Sequence, residues 1–166
     1  FGPKTCNKLQ ATKKEEPEKT NKGQIITVLE KISKITIKDK NTLYKAFQHI
    51  KYESYKNDIY TLTQELDRVQ KGKRLNCTDQ AQLYMKAYQE AGFKEPIRIV
   101  RGVVTCNSGK AFGHVWCQVY TNGKWVNVDP CAMSAHGYSM GKLICTRGYK
   151  ITNINPAWAV SDDGKT

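Results

Sequence analysis

Nothing in the chain restricts its folding more than Asn122-Gly123, set between two alternating runs in HVWCQVYTNGKWVNVD, residues 114–129. A two-residue hairpin loop of the mirror-image type I′ turn needs positive φ at both central residues, and Asn-Gly is the pair that accepts this most readily. With those two residues as the loop, Thr121 opposes Lys124, Tyr120 faces Trp125, Gln118 faces Asn127 and Trp116 faces Asp129. Side chains alternate between faces, so His114, Trp116, Gln118 and Tyr120 share one face with Trp125, Asn127 and Asp129. His114 and Asp129 become diagonal neighbours, roughly 7–8 Å apart at the backbone, a gap their side chains can span. A hydrogen bond between them would fix the imidazole tautomer and leave the other ring nitrogen to take a proton from a nucleophile. The competing reading is an exposed amphipathic hairpin whose histidine has no chemical task.

The matching nucleophile is Cys77 in Arg-Leu-Asn-Cys-Thr-Asp-Gln, residues 74–80. Asn76 is a good N-cap, Asp79 follows three positions later as in a capping box, and Ala81, Tyr84, Ala87, Tyr88 and Ala91 continue at helical spacing. The thiol therefore sits in a first helical turn, where unpaired N–H groups and the positive end of the helix dipole favour thiolate. A buried cysteine on a core helix is the competing reading of the same stretch. Cys131 is a rival, because it would lie opposite His114 if strand pairing ran past Pro130; a proline there should end the ladder first. A structural zinc site of Cys77, His114, Cys117 and Cys131 is a further alternative. It lacks a short ligand pair and would draw Cys117 from the opposite face.

Around these motifs the chain reads as helices followed by strands. Residues 1–22, rich in Lys and Glu, read as a basic linker, and residues 23–166 as one domain. Ile25, Ile26, Val28, Leu29, Ile32 and Ile35 predict a first helix, with a strand open as an alternative after Lys34. Asn41-Thr42 would cap a second helix carrying Leu43, Phe47, Ile50 and Tyr55, with His49 as a structural or surface residue inside it. Asn57-Asp58 would start a third carrying Ile59, Leu62, Leu66 and Val69 and ending near Gly72. The helix opened by Cys77 should run to Ala91, with Gly92 as its stop and Pro96 beyond. Ile97, Ile99, Val100, Val103 and Val104 predict a strand buried by helices.

The formal charge of +12 raises the question of a nucleic-acid partner. The bases outnumber the acids six to three in residues 1–22, eleven to six in 23–75 and ten to six in 76–166, so the excess is spread rather than striped. With no RRM-type motif and no zinc-finger spacing, the charge suits attraction to a polyanionic surface, such as a wall polymer, better than specific nucleic-acid binding. No run approaches the roughly eighteen apolar residues of a membrane span, and none resembles a signal peptide. Six cysteines are an even number, but a chain of this length can build its core without staples and a working thiol must stay reduced. A mostly reduced set of small packing residues is expected.

Taken together, Asn76-Cys77-Thr78-Asp79 opening a helix, Gly113-His114-Val115-Trp116 starting a strand, and Trp125-Val126-Asn127-Val128-Asp129-Pro130 ending the next resemble the transglutaminase-like branch of the papain-type cysteine peptidases. Lys-Tyr-Glu-Ser-Tyr at 51–55, Leu-Asn-Cys-Thr-Asp at 75–79 and Asn-Pro-Ala-Trp at 155–158 resemble, within that branch, the pseudomurein endoisopeptidases of methanogen viruses and proviruses. The resemblance implies an α+β, papain-like fold with N-terminal helices and the nucleophile helix packed on an antiparallel sheet. It implies Cys77 as nucleophile, His114 as general base and then acid, and Asp129 as the orienting carboxylate. The implied reaction is hydrolysis of the Ala–Lys isopeptide cross-link of pseudomurein, at the cell wall, by a monomer. The triad alone leaves open a transglutaminase-type acyl transferase, and the scaffold alone a non-catalytic wall-binding module. Asn76, Trp116 and Gln118 are the candidates for oxyanion or substrate contacts, with a structural role the equal alternative for Trp116 and Gln118. No cofactor is needed for such chemistry. Some relatives depend on calcium, but no Asp-rich EF-hand-like loop occurs here, so the sequence itself points to no metal.

Overall fold

The computed structural model describes residues 22–53, 60–131 and 149–155. In chain order these form α1 (Gln24–Ser33), α2 (Lys40–Phe47), α3 (Leu62–Gln70), α4 (Cys77–Glu90), β1 (Ile97–Cys106), β2 (Ala111–Thr121), β3 (Lys124–Val128) and β4 (Tyr149–Asn155). The strands make one antiparallel sheet in the order β3-β2-β1-β4. The class is α+β with helices ahead of the sheet, as expected.

The starts of α2 and α3 differ from those read from sequence. Asp39, not Asn41-Thr42, caps α2: its carboxylate accepts from the Thr42 N–H at 2.8 Å, and the Thr42 hydroxyl accepts in return from the Asp39 N–H at 3.0 Å. Thr61 caps α3 in the same reciprocal way with Gln64. Reciprocal capping pairs a backbone donor at each end of the turn, so it defines the start better than a lone Asn. The α2 helix ends at Phe47, leaving Ile50 buried beyond it and His49 exposed. Tyr55, Asn57, Asp58 and Ile59 lie outside the described residues. So do residues 1–21 of the expected linker.

The hairpin has the expected register. Thr121 pairs Lys124, Tyr120 pairs Trp125 and Gln118 pairs Asn127, with Asn122 at φ 52° and Gly123 at φ 79° forming the turn. The ladder stops at Cys117–Val128, one pair before Trp116 and Asp129. Residues 130 and 131 are helical, so the chain has left the sheet there, and Pro130 has no N–H to extend the ladder.

The two faces of the sheet are buried differently. Ile99, Val115, Cys117 and Val119 pack with Ala81, Tyr84, Ala87 and Tyr88 of α4 and with α1 to α3 in the main core. Leu83, Tyr84 and Tyr88 are at most 3% exposed, and burying a side chain of that size contributes about 1.5–3 kcal/mol. On the other face Val100, Val104, Cys106 and Trp116 form a second buried cluster. The β-branched run of β1 thus serves both faces. Three of the four described cysteines are reduced and one is not. Cys77, Cys117 and Cys131 are free thiols, whereas Cys106, at the end of β1, takes part in a disulfide. A core that stands without staples does not forbid one at its margin.

Candidate active site

The α4 helix begins at Cys77 because Asn76 caps it: the Asn76 side-chain oxygen accepts from the Asp79 N–H at 2.9 Å. The capping-box half expected of Asp79 is not made. Its carboxylate is fully buried and turns instead to the Tyr60 N–H, 2.9 Å away, pinning the entry to α3 against the first turn of α4. Beside it lies Glu65 of α3, whose carboxylate oxygens have no other donor. Burial, a hydrogen bond to Asp79 and the Asp79 charge push the Glu65 carboxyl up to about 11, so Glu65 is a protonated donor to Asp79. The segment entering Cys77 is fastened as well. Leu75 donates to the Lys51 carbonyl at 3.0 Å and accepts from the Glu53 N–H at 3.2 Å, while the buried Gln80 amide donates to the Leu75 carbonyl at 3.0 Å. The position of Cys77 therefore rests on backbone held from three sides.

The hairpin delivers His114 and Asp129 to this helix end. His114 Nε2 lies 2.8 Å from Asp129 Oδ2, and their side chains are only 11% and 4% exposed. The second carboxylate oxygen, Asp129 Oδ1, accepts from the Cys131 N–H at 3.1 Å. With Nε2 committed to the carboxylate, Nδ1 is the ring nitrogen left for a further partner, and Cys77 lies near enough to His114 to add to the upward shift of the ring. Burial opposes the charged imidazole, but the Asp129 charge and hydrogen bond, with Cys77 adding to them, outweigh it and raise His114 to about 10. The helix start at Cys77 and the hairpin thus bring Cys77 and the His114–Asp129 pair into one neighbourhood.

The remaining sequence candidates are placed as follows. Trp116 is fully buried and stacked on His114, with ring centroids 5.8 Å apart and planes inclined by 20°. Its indole N–H donates to Asn127 Oδ1 at 2.8 Å. Gln118 is buried too, its oxygen accepting from Arg98 at 2.9 and 2.7 Å and its amide donating to Asn127 Oδ1 at 2.9 Å. In this arrangement both take part in a polar network of the sheet's own. The oxygen of Asn76 is held by its capping bond. Cys131 is buried; its surroundings, with the charges of Asp129 and Cys77, push its thiol well up, so the rival nucleophile is held protonated. Cys117 points away from His114 and donates its S–H to the Ala81 carbonyl at 3.3 Å, which removes it from the zinc alternative. Tyr44 was not anticipated. Burial and then the Asp129 charge raise its hydroxyl above the usual range, so this α2 side chain lies within the electrostatic influence of Asp129.

A calcium ion takes six to eight oxygen ligands. Among the described residues no group of three or more His, Cys, Asp or Glu is gathered, and the buried Glu65–Asp79 pair is occupied by a shared proton and the Tyr60 N–H. These residues do not fit a calcium cage.

Residues 27–130 of the 166 match the family described as Transglutaminase-like superfamily. The chain belongs to the transglutaminase-like superfamily. The matched span opens in α1 and closes one residue after Asp129, so it contains all three candidate triad residues. The chain is also 32% identical over 139 residues, 81% of its length, to pseudomurein endoisopeptidase PeiW of Methanothermobacter phage psiM100. The alignment covers 47% of that protein, so the chain spans about half the length of this relative. No helix among the described residues is long and apolar enough to cross a membrane.

Proposed function

We propose that the chain is the catalytic domain of a cysteine endoisopeptidase that hydrolyses the Ala–Lys isopeptide cross-link of pseudomurein at the cell wall. The observation that supports this reading is His114, bonded to Asp129 and near enough to Cys77, the first residue of its helix, to be influenced by it, in a transglutaminase-like chain. Similarity to a pseudomurein endoisopeptidase supplies the substrate class.

The Cys77 thiolate attacks the isopeptide carbonyl and forms a C–S bond. The Cys77 N–H, first in its helix and so without an intrahelical acceptor, meets the oxyanion. The His114 imidazolium gives its proton to the leaving lysine Nζ as the C–N bond breaks, leaving a thioester and a free amine. Neutral His114 then takes a proton from water, whose oxygen attacks the thioester. The C–S bond breaks, the Ala carboxyl group leaves and ionises to solvent, the Cys77 thiolate and His114 imidazolium are regenerated, and no cofactor enters these steps. Asp129 stabilises the imidazolium throughout.

The experiment is incubation of the domain with a wall cross-link peptide and an added primary amine. Equal release of free lysine Nζ and free Ala carboxylate is the expected result. Incorporation of the added amine at the Ala carbonyl would replace the hydrolase with an acyl transferase, and binding without turnover would leave a wall-binding module.

A further inference from the structure

We infer that Trp116, latched by Asn127, is the positioning residue that sets the plane of the His114 imidazole. The inference rests on the triad reading above and extends it to residues that touch no reacting atom.

A carboxylate bonded at Nε2 fixes one point on the imidazole but leaves the ring free to swing about the line joining Nε2 to Asp129. Delivery of Nδ1 to the Cys77 sulfur requires that swing to be stopped. The structure stops it with two rings on the same strand face. The Trp116 indole lies nearly parallel to the imidazole at 5.8 Å, and the edge-on Phe112 ring lies 6.1 Å away at 70°. Because Trp116 has no exposure to solvent, its N–H depends on an acceptor supplied by the protein, and Asn127 Oδ1 supplies it. The same oxygen accepts from Gln118, whose own oxygen is held by two N–H groups of Arg98. The Arg98 guanidinium in turn lies 3.9 Å from the centre of the Trp125 ring. Each member is thus oriented by the next, from the outer edge of the hairpin to the imidazole.

Gly102 supplies an independent observation. It sits on β1 directly opposite His114, and a Cβ there would come within 2.6 Å of Trp116 Cη2 and 3.2 Å of the Thr152 carbonyl. The indole is rigid and buried, so it could not yield without moving the ring it stacks on. The absent side chain at Gly102 and the acceptor at Asn127 hold the indole from opposite ends.

The test needs no wall substrate. Iodoacetamide alkylation of Cys77 at neutral pH is followed by peptide mapping, with the indole N–H resonance of Trp116 reporting folding. Asn127 is itself exposed, so Asn127→Leu should fold while removing the acceptor. The expected result is alkylation slowed roughly 10- to 100-fold, the scale of catalytic-group misplacement. Asn127→Asp, which keeps an acceptor of the same length, should restore most of the rate. Gly102→Ala should slow it from the other side, and serves if Asn127→Leu does not fold. A folded Asn127→Leu or Gly102→Ala chain that alkylates at the parent rate, while His114→Ala is slow, overturns the inference and spares the triad. If His114→Ala also keeps the parent rate, the triad reading falls and this inference with it.

Discussion

His114 Nε2 and Asp129 Oδ2 lie 2.8 Å apart across the open end of a hairpin whose turn is eight residues beyond the histidine and six before the aspartate. The ion pair is nearly dry, so the charge on each partner depends on the other. Asp129→Asn keeps the shape and the bond from the Cys131 N–H but removes the charge. In the parent, histidine NMR should show His114 protonated through neutrality and releasing its proton near pH 10. In the variant, burial is opposed only by the smaller contribution of Cys77, and the ring should release its proton well below pH 10. Isopeptide hydrolysis should fall by about 10³- to 10⁴-fold, as expected when a triad carboxylate is neutralised. A His114 that titrates alike in both would remove Asp129 from the account.

Stability should decline as pH rises from mildly acidic to alkaline. Between about pH 4.5 and about 11 the folded chain keeps a proton on Glu65 that the unfolded chain has released. His114 does the same between 6.5 and about 10, so its stabilising contribution is complete below 6.5 and lost as pH climbs through 10. More protons bound in the folded state means a falling unfolding free energy with pH. Glu65→Gln keeps a donor toward Asp79 and has no proton to lose. It should be more stable than the parent at pH 8 by about 1–3 kcal/mol, with the gap widening from pH 5 to 9 in urea titrations. Parallel pH curves would show that Glu65 is not held protonated.

Cys131 lies close enough to Asp129 and Cys77 to feel both, and its burial keeps the thiol protonated. Cys131→Ala should therefore retain most of the hydrolytic rate, and Cys131 should remain unlabelled under native iodoacetamide treatment that modifies Cys77. Loss of activity in the folded Cys131→Ala chain with Cys77 still reactive would make Cys131 the nucleophile.

Much of this site is legible before any coordinates, because Asn122-Gly123 is a local signal that determines a non-local one. Once the turn is set, strand alternation fixes which residues face His114, and the pairing is as the alternation requires. Cys77 is legible for a similar reason, since Asn76 marks its helix start. What alternation cannot supply is depth. Trp116 and Gln118 share the face of His114 and so read as substrate contacts, but that face carries its own buried cluster and they are enclosed by it. The Glu65–Asp79 pair has no local signature, because its members belong to different helices. The caps at Asp39 and Thr61 lost to nearby Asn residues, since only the reciprocal bond distinguishes them. The β4 strand, with polar Thr152, Asn153 and Asn155 largely open to solvent, gives no apolar alternation to find.

The most direct measurement is mass spectrometry of the chain quenched in acid during turnover of an Ala–Lys cross-link peptide. The predicted result is an acyl adduct on Cys77 that is absent from Cys77→Ala, together with loss of hydrolysis in that variant. Undiminished hydrolysis by Cys77→Ala, or an adduct mapped to another residue, would contradict the assignment of Cys77 as nucleophile.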